Sequence, residues 1–415
     1  MDAARRFALR AACVWVALGS LAMFFALIER YPLYRGVWAA IVPFVGHRVF
    51  GVEGEIVPRM TGSGDSMFAW LQSFCELALA LAVAAVWLVI DRRHRQEARL
   101  AELLRVSVRY SLAWTMLGYG VVKVFKTQFP FPSGERLLQP YGESSPMALL
   151  WTFMGYSTPY NIFAGALECV GALLLLFRRT TTLGALILLG VLANVVMLNL
   201  CYDVPVKLYS IQLFAMACLL AGRDARRLLD LLMLNRGVSA GQISARLPWP
   251  RLEALRPFVK GLLICAMLYK SVASELEYRA ASGPDAPPPP HFGVWEVESF
   301  VAGGVEHPPL TTDPVRWRAV SVTRNGRLIV VMMDGTMRRF NLTQENGGTR
   351  LVLKSVENPE QQASLLVTAD EGDTLTLAGP VNDVDLVLAL RRRELADFPL
   401  VARGFHWVNE FPHNR

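Results

Sequence analysis

The sequence predicts an all-α polytopic membrane bundle of about seven spans, followed by a small all-β domain of the lipocalin-like, up-and-down barrel type. Three observations carry this reading. The 415 residues are 53% hydrophobic and 19% charged, with a mean hydropathy of +0.33, whereas soluble domains hold about a quarter charged residues. The apolar residues collect into stretches long enough to cross a bilayer. After residue 282 the hydrophobic period changes to two.

Charge divides at the same place. Residues 1–282 hold 29 Lys+Arg against 18 Asp+Glu, and residues 283–415 hold 13 against 17. The net charge of +7 is therefore a basic bundle added to an acidic domain. Because the basic residues flank apolar stretches, they report membrane topology rather than a nucleic-acid partner.

Seven stretches within residues 1–282 approach the roughly 17 to 20 residues a spanning helix needs: 11–28, 68–90, 107–125, 161–177, 183–200, 206–221 and 257–274. The first follows Arg5, Arg6 and Arg10, and lacks a small-residue cleavage site before Glu29, so it reads as a retained anchor rather than a signal peptide. With the N-terminus in the cytoplasm, Arg92, Arg93, Arg95, Arg99, Arg105, Arg178, Arg179, Arg223, Arg226, Arg227, Arg236, Arg246, Arg251 and Arg256 all fall inside. The opposite loops carry only Arg30, Arg35, Arg48, Arg59, Lys126 and Arg136. That bias predicts a bacterial inner-membrane protein whose C-terminal domain lies outside the cytoplasm. Residues 223–236, basic on one side and leucine-rich on the other, read as an interfacial helix.

Residues 283–291 form a linker containing four consecutive prolines, a semi-rigid spacer. Beyond it, in 292–415, candidate strands are 292–300, 316–323, 327–333, 336–341, 350–356, 362–369, 373–378 and 384–390. Asn325-Gly326 and Asp334-Gly335 are strong hairpin turns. Eight short strands in series suit a closed meander, which leaves no free edge. Gly293-Val294-Trp295 resembles the G-x-W opening of lipocalin-type barrels, with Trp295 reading first as a core aromatic. The aromatic tail 403–410 is expected to cap the barrel, with the membrane surface as its alternative.

Several chemistries lack their residues. The six histidines, His47, His94, His291, His307, His406 and His413, lie outside the seven stretches, which argues against paired axial ligands for haem. Neither H-x-x-x-H nor C-x-x-C occurs, so zinc and thioredoxin-like readings have no motif, and no metal site is expected. What remains is a set of ionisable and amide groups at membrane depth. Glu76 and Glu168 lie eight and seven residues from the outer starts of their spans, roughly 10 to 12 Å below the boundary at 1.5 Å per residue. Intramembrane carboxylates need partners and are functional candidates by default. Lys123, Lys126, Asn194, Asn199, Tyr202, Asp203 and Lys207 are available on that side, and could line an outward-opening polar cavity or simply fix helix packing. Arg109 reads as a snorkelling side chain. The proline-rich loop after the third span reads as a lid over the bundle mouth, through which Glu135, Arg136 and Glu143 could reach a ligand.

From Leu117 to Ala221 the chain resembles the DoxX-like family of small integral membrane proteins, on the stretches GYGVVK, FAGALECVGALLLLFRRTTTLGAL, NVVMLN and CYDVPVKLYS. It is similar, more specifically, to longer bacterial members with extra helices and an outer domain ending in a tail like RGFHWVNEFPHNR. The family is named for a subunit associated with thiosulfate:quinone oxidoreduction, so the resemblance implies a membrane redox complex and a quinone met in the bundle. Glu168 matches the helix glutamate of the pattern; no redox residue carries over, because no paired cysteine is present. Three functions stay open: binding of a quinone or other lipid-soluble molecule near Glu76, Lys123, Glu168, Asn199 and Lys207; a proton-coupled carrier; and a membrane anchor for a ligand- or protein-binding outer barrel.

Overall fold

The computed structural model describes residues 3–27, 31–59, 61–91, 97–239, 250–358, 360–382 and 384–414. Arg30, Arg92, Arg93, His94, Arg95 and Arg246, used above for topology and haem, lie outside the described residues. The chain forms two compact units, one made of Met1–Gln128 with Thr158–Glu275, the other of Phe129–Ser157 with Leu276–Arg415.

The first unit is helical: α1 (Ala3–Leu27), α2 (Tyr31–Val49), α3 (Met67–Ile90), α4 (Glu97–Val124), then, after an excursion, α7 (Thr158–Leu175), α8 (Thr181–Cys201), α9 (Lys207–Gly222), α10 (Ala225–Leu232) and most of α11 (Pro250–Ala281). Each of the seven apolar stretches falls in a helix, but among the described residues four helices are long and apolar enough to cross a membrane: Met67–Ile90, Thr158–Leu175, Thr181–Cys201 and Pro257–Ala281. The stretch at 206–221 becomes a shorter apolar helix, Lys207–Gly222. That at 107–125 sits in a helix carrying Arg105 and Arg109 in its buried face, and that at 11–28 ends on a residue outside the described set.

Small residues set the helix crossings. A Cβ at Gly165 of α7 would stand 2.6 Å from the Gly120 carbonyl oxygen of α4, and one at Gly184 of α8 would stand 2.8 Å from that of Gly171. Backbones that close can meet only where side chains are absent, the usual device for helices that cannot rely on water to drive them together. Around these crossings Val108, Leu112, Met116, Leu175, Leu188, Leu192 and Leu220 form the unit's core. Helix α2, which the sequence left as loop, packs Trp38 and Val42 on Phe68, Leu71 and Cys75.

The second unit holds α5 (Gly134–Leu138), α6 (Pro146–Tyr156), β1 (Gly293–Ala302), β2 (Val305–Glu306), β3 (Trp317–Val322), β4 (Arg327–Met332), β5 (Met337–Glu345), β6 (Arg350–Ser355), β7 (Gln362–Asp370), β8 (Thr374–Val381), β9 (Val384–Arg393) and the short α12 (Pro399–Ala402). Strands follow in sequence order and β1 closes on β9, from Val294 opposite Arg393 to Ala302 opposite Leu386. Two-residue β2 only pairs the end of β1, so eight strands make the closed antiparallel barrel, each at its predicted place. Gly326 and Gly335 take positive φ in the two turns read from their dipeptides.

Alternate side chains fill the barrel: Trp295, Phe300, Trp317, Leu328, Leu353, Leu365, Leu377 and Leu388 belong to one buried cluster. Trp295 donates its indole N–H to the His291 carbonyl at 2.9 Å, and the Arg392 guanidinium lies 5.3 Å from its ring. Strand β4 departs from alternation, with five consecutive buried residues. Its outer face is covered too: Val331, Val294 and Ala319 pack against Leu138 of α5 and Phe398. The loop read as a lid thus belongs to the barrel's unit, where Arg339 also bonds Glu135 at 2.8 Å. The tail 403–410, expected to cap the barrel, is instead exposed at Phe405, Trp407 and Val408; Phe398 and Val401, ahead of it, cover the outer wall.

Candidate ligand cavity of the helical unit

The site begins with one carboxylate. Glu76 lies mid-way along α3, and the packing of α2 on α3 brings Tyr34 to it; Tyr34 donates to Glu76 Oε1 at 3.0 Å. Gln72, one turn earlier on α3, donates to the same oxygen at 2.8 Å. Glu76 lines an open cavity of about 860 Å³ within the helical unit. Helix α4 contributes Trp114, Thr115, Gly118, Tyr119 and Val122, spaced by three and four as one helical face requires. Helix α9 contributes Leu208, Tyr209 and Gln212, and α11 contributes Ser271, Ser274 and Glu275.

Polar contacts tie these walls together. Tyr209 and Thr115 approach to 3.3 Å between hydroxyls, and Gln212 donates to Ser73 at 3.4 Å. Thr127 donates to Glu275 Oε2. An adjoining pocket of about 180 Å³ shares Glu76, Thr115, Tyr209 and Gln212, and is otherwise lined by groups such as Trp15, Val16 and Met216. Aromatic walls with a few convergent polar groups, in a volume of this order, are the usual make-up of a small-molecule site.

Of the ten residues expected to bind ligand, only Glu76 lines this cavity. Lys123 and Glu168 are brought together instead in the α4–α7 interface, with Nζ 2.9 Å from Oε2 and both side chains buried. Lys123 also lies 5.4 Å from the ring of Tyr119, which does line the cavity. Lys126 takes a positive φ and donates to Thr158 Oγ1 at 2.6 Å. Lys207 and Asp203 pair at 2.7 Å. Arg136 bonds Gln139 within the barrel's unit. Asn194 is exposed, Tyr202 half-buried, and Asn199 buried with its Nδ2 lacking a hydrogen-bond partner. Arg109, expected to snorkel, is 1% exposed, with its guanidinium 4.9 Å from the ring of Tyr110.

Sequence reasoning missed Tyr34, Gln72, Tyr209, Gln212 and Glu275. It also missed Asp65, whose carboxylate accepts the Lys207 N–H at 2.7 Å and the Leu208 N–H at 3.0 Å, capping α9. Among the described residues no group of three His, Cys, Asp or Glu side chains could hold a metal ion.

No family model matches the chain, and no solved structure is significantly similar to it. The curated relative is the uncharacterized protein YwoB of Bacillus subtilis (strain 168), 35% identical over 140 residues, a match covering 32% of this chain and 87% of YwoB. On that identity and coverage, the chain belongs to the same family as YwoB.

Proposed function

We propose that the protein is a multi-pass membrane protein that binds a lipid-soluble molecule in the cavity bordered by Glu76. The observation that carries this is a roomy cavity walled by Trp114, Tyr119 and Tyr209, with carboxylate, amide and hydroxyl groups converging on it. The arginine distribution supports an inner-membrane location with a cytoplasmic N-terminus and the barrel outside. The DoxX-like resemblance suggests a quinone as ligand and a redox complex as partner; a quinone would offer its carbonyl oxygens to Tyr34, Tyr209 and Gln212. The filled barrel interior favours a solid module over a second ligand site.

Purification in mild detergent followed by mass spectrometry of co-extracted molecules tests the proposal. A distinct lipid-soluble species is expected with the unaltered protein and a reduced amount with Glu76→Gln. Absence of any enriched species, or equal retention by the variant, overturns it.

The carboxylate on the cavity wall also favours a second reading, proton-coupled transport, since acidic groups at membrane depth serve as proton relays. Uptake into proteoliposomes that responds to an imposed pH gradient, and is lost in Glu76→Gln, would support it. Uptake indifferent to pH would remove it.

A further inference from the structure

We infer that the ligand of this cavity carries a positive charge: it is a lipid-soluble organic cation. The inference rests on the cavity being a ligand site and replaces the neutral quinone suggested by the DoxX-like resemblance with a charged class of molecule.

The described wall of the cavity lacks counter-charge. Two carboxylates, Glu76 of α3 and Glu275 of α11, stand on the cavity wall, and among the described lining residues there is no Lys, Arg or His. Each is held by neutral donors on one oxygen only. Glu76 Oε1 accepts from Tyr34 and Gln72, and Glu275 Oε2 accepts from Thr127. Among the described residues the other oxygen of each accepts no hydrogen bond, and no basic group pairs with either.

Elsewhere in the same helical unit the pattern is different. Glu168 pairs with Lys123, Asp91 with Arg10 and Glu97 with Arg6, each at 2.9 Å, and Glu102 pairs with Arg223 at 3.2 Å. Lys123, beside the Tyr119 wall, is already committed to Glu168. A carboxylate at membrane depth calls for a partner, and here the described residues offer no basic one at two positions facing one space. The rings of Trp114, Tyr119 and Tyr209 supply electron-rich faces, which attract cations and discriminate against anions.

The test uses the full chain in lipid nanodiscs and equilibrium binding of three probes: tetraphenylphosphonium, its near-isosteric anion tetraphenylborate, and the neutral decylbenzoquinone. Saturable phosphonium binding about tenfold tighter than that of either other probe is expected. Glu76→Gln and Glu275→Gln are each expected to weaken phosphonium binding by about tenfold, since each removes half of the wall's charge. The ranking of the probes on the unaltered protein stands whether or not a variant folds. Quinone binding as tight as or tighter than phosphonium binding overturns the charge inference and leaves the cavity as a ligand site. Failure of all three probes to bind overturns both.

Discussion

Lys123 Nζ lies 2.9 Å from Glu168 Oε2 in the interface of α4 and α7, one helical turn from the point where Gly120 and Gly165 bring the two backbones together. Removing one partner would strand the other charge where water cannot reach it. Glu168→Gln is expected to destabilise the protein by about 3 to 5 kcal/mol, and replacing both partners together, Lys123→Met with Glu168→Leu, to recover most of that loss. Thermal unfolding of the detergent-solubilised protein measures both; equal loss in the single and double variants would show that the pair is not the cause.

The glycine crossing itself can be weighed. Gly165→Ala forces a Cβ to within 2.6 Å of the Gly120 carbonyl oxygen, so the helices must separate, at a cost of about 1 to 3 kcal/mol. Gly190 of α8 has nothing within 4 Å of its would-be Cβ. Gly190→Ala should therefore be neutral or stabilising by up to about 1 kcal/mol, since alanine is the better helix former. A comparison of the two melting curves decides it.

These contrasts also explain how much was legible in the sequence. The barrel could be read strand by strand because period-two patterning and the Asn325-Gly326 and Asp334-Gly335 turns are local signals. Glu76 and Glu168 stood out as charges in apolar runs. What each would meet was not local. Tyr34 lies on a helix that also carries Arg35, Pro43, His47 and Arg48, which break any long apolar run. Glu275 lies one residue past the apolar stretch 257–274, although the helix continues to Ala281. Asn194 read as inward-facing because it is polar. The buried positions of α8, however, are Thr181, Gly184, Ala185, Leu188, Leu192 and Asn199, and Asn194, two residues from Leu192, sits about 200° around the helix from it.

The cover on the barrel's outer wall offers a third test. Leu138 packs against Val294, Ala319, Val331 and Phe398. Leu138→Asp would place a charge against that apolar surface and release residues 129–157 from the strands. Limited proteolysis should then cut within 129–157 at a protease concentration that leaves the unaltered protein whole. Unchanged resistance would mean that other contacts hold the segment.

A fourth concerns acid. Asp313 accepts hydrogen bonds from the Arg316 and Val315 N–H groups and from His307, which hold its carboxyl down at about 2, from an ordinary value of 3.8. A carboxyl whose pKa is depressed by folding stabilises the fold above the unfolded value and loses that contribution as pH falls through the folded one. The stability gap between the unaltered protein and Asp313→Asn should shrink between about pH 4 and pH 2. Urea midpoints followed by barrel tryptophan fluorescence across that interval read the gap; a gap that does not narrow would remove Asp313 as its source.

The contact between Leu138 and Val294 also fixes an arithmetic of the chain's path. Residues that touch share a side of the membrane, so between 138 and 294 the chain crosses an even number of times. Helices α7, α8 and α11 are long and apolar enough to cross, and three crossings would leave the partners on opposite sides. An even number is reached if one of the three does not cross, or if α9 crosses as well, its 16 residues spanning about 24 Å against a hydrocarbon core of about 30 Å. A crossing helix that short would thin the bilayer around it or draw its flanking residues inward. Asp203→Cys and Arg223→Cys, at its two ends, separate the two cases: labelling by an impermeant maleimide from opposite faces means that α9 crosses, and labelling from one face means that it does not.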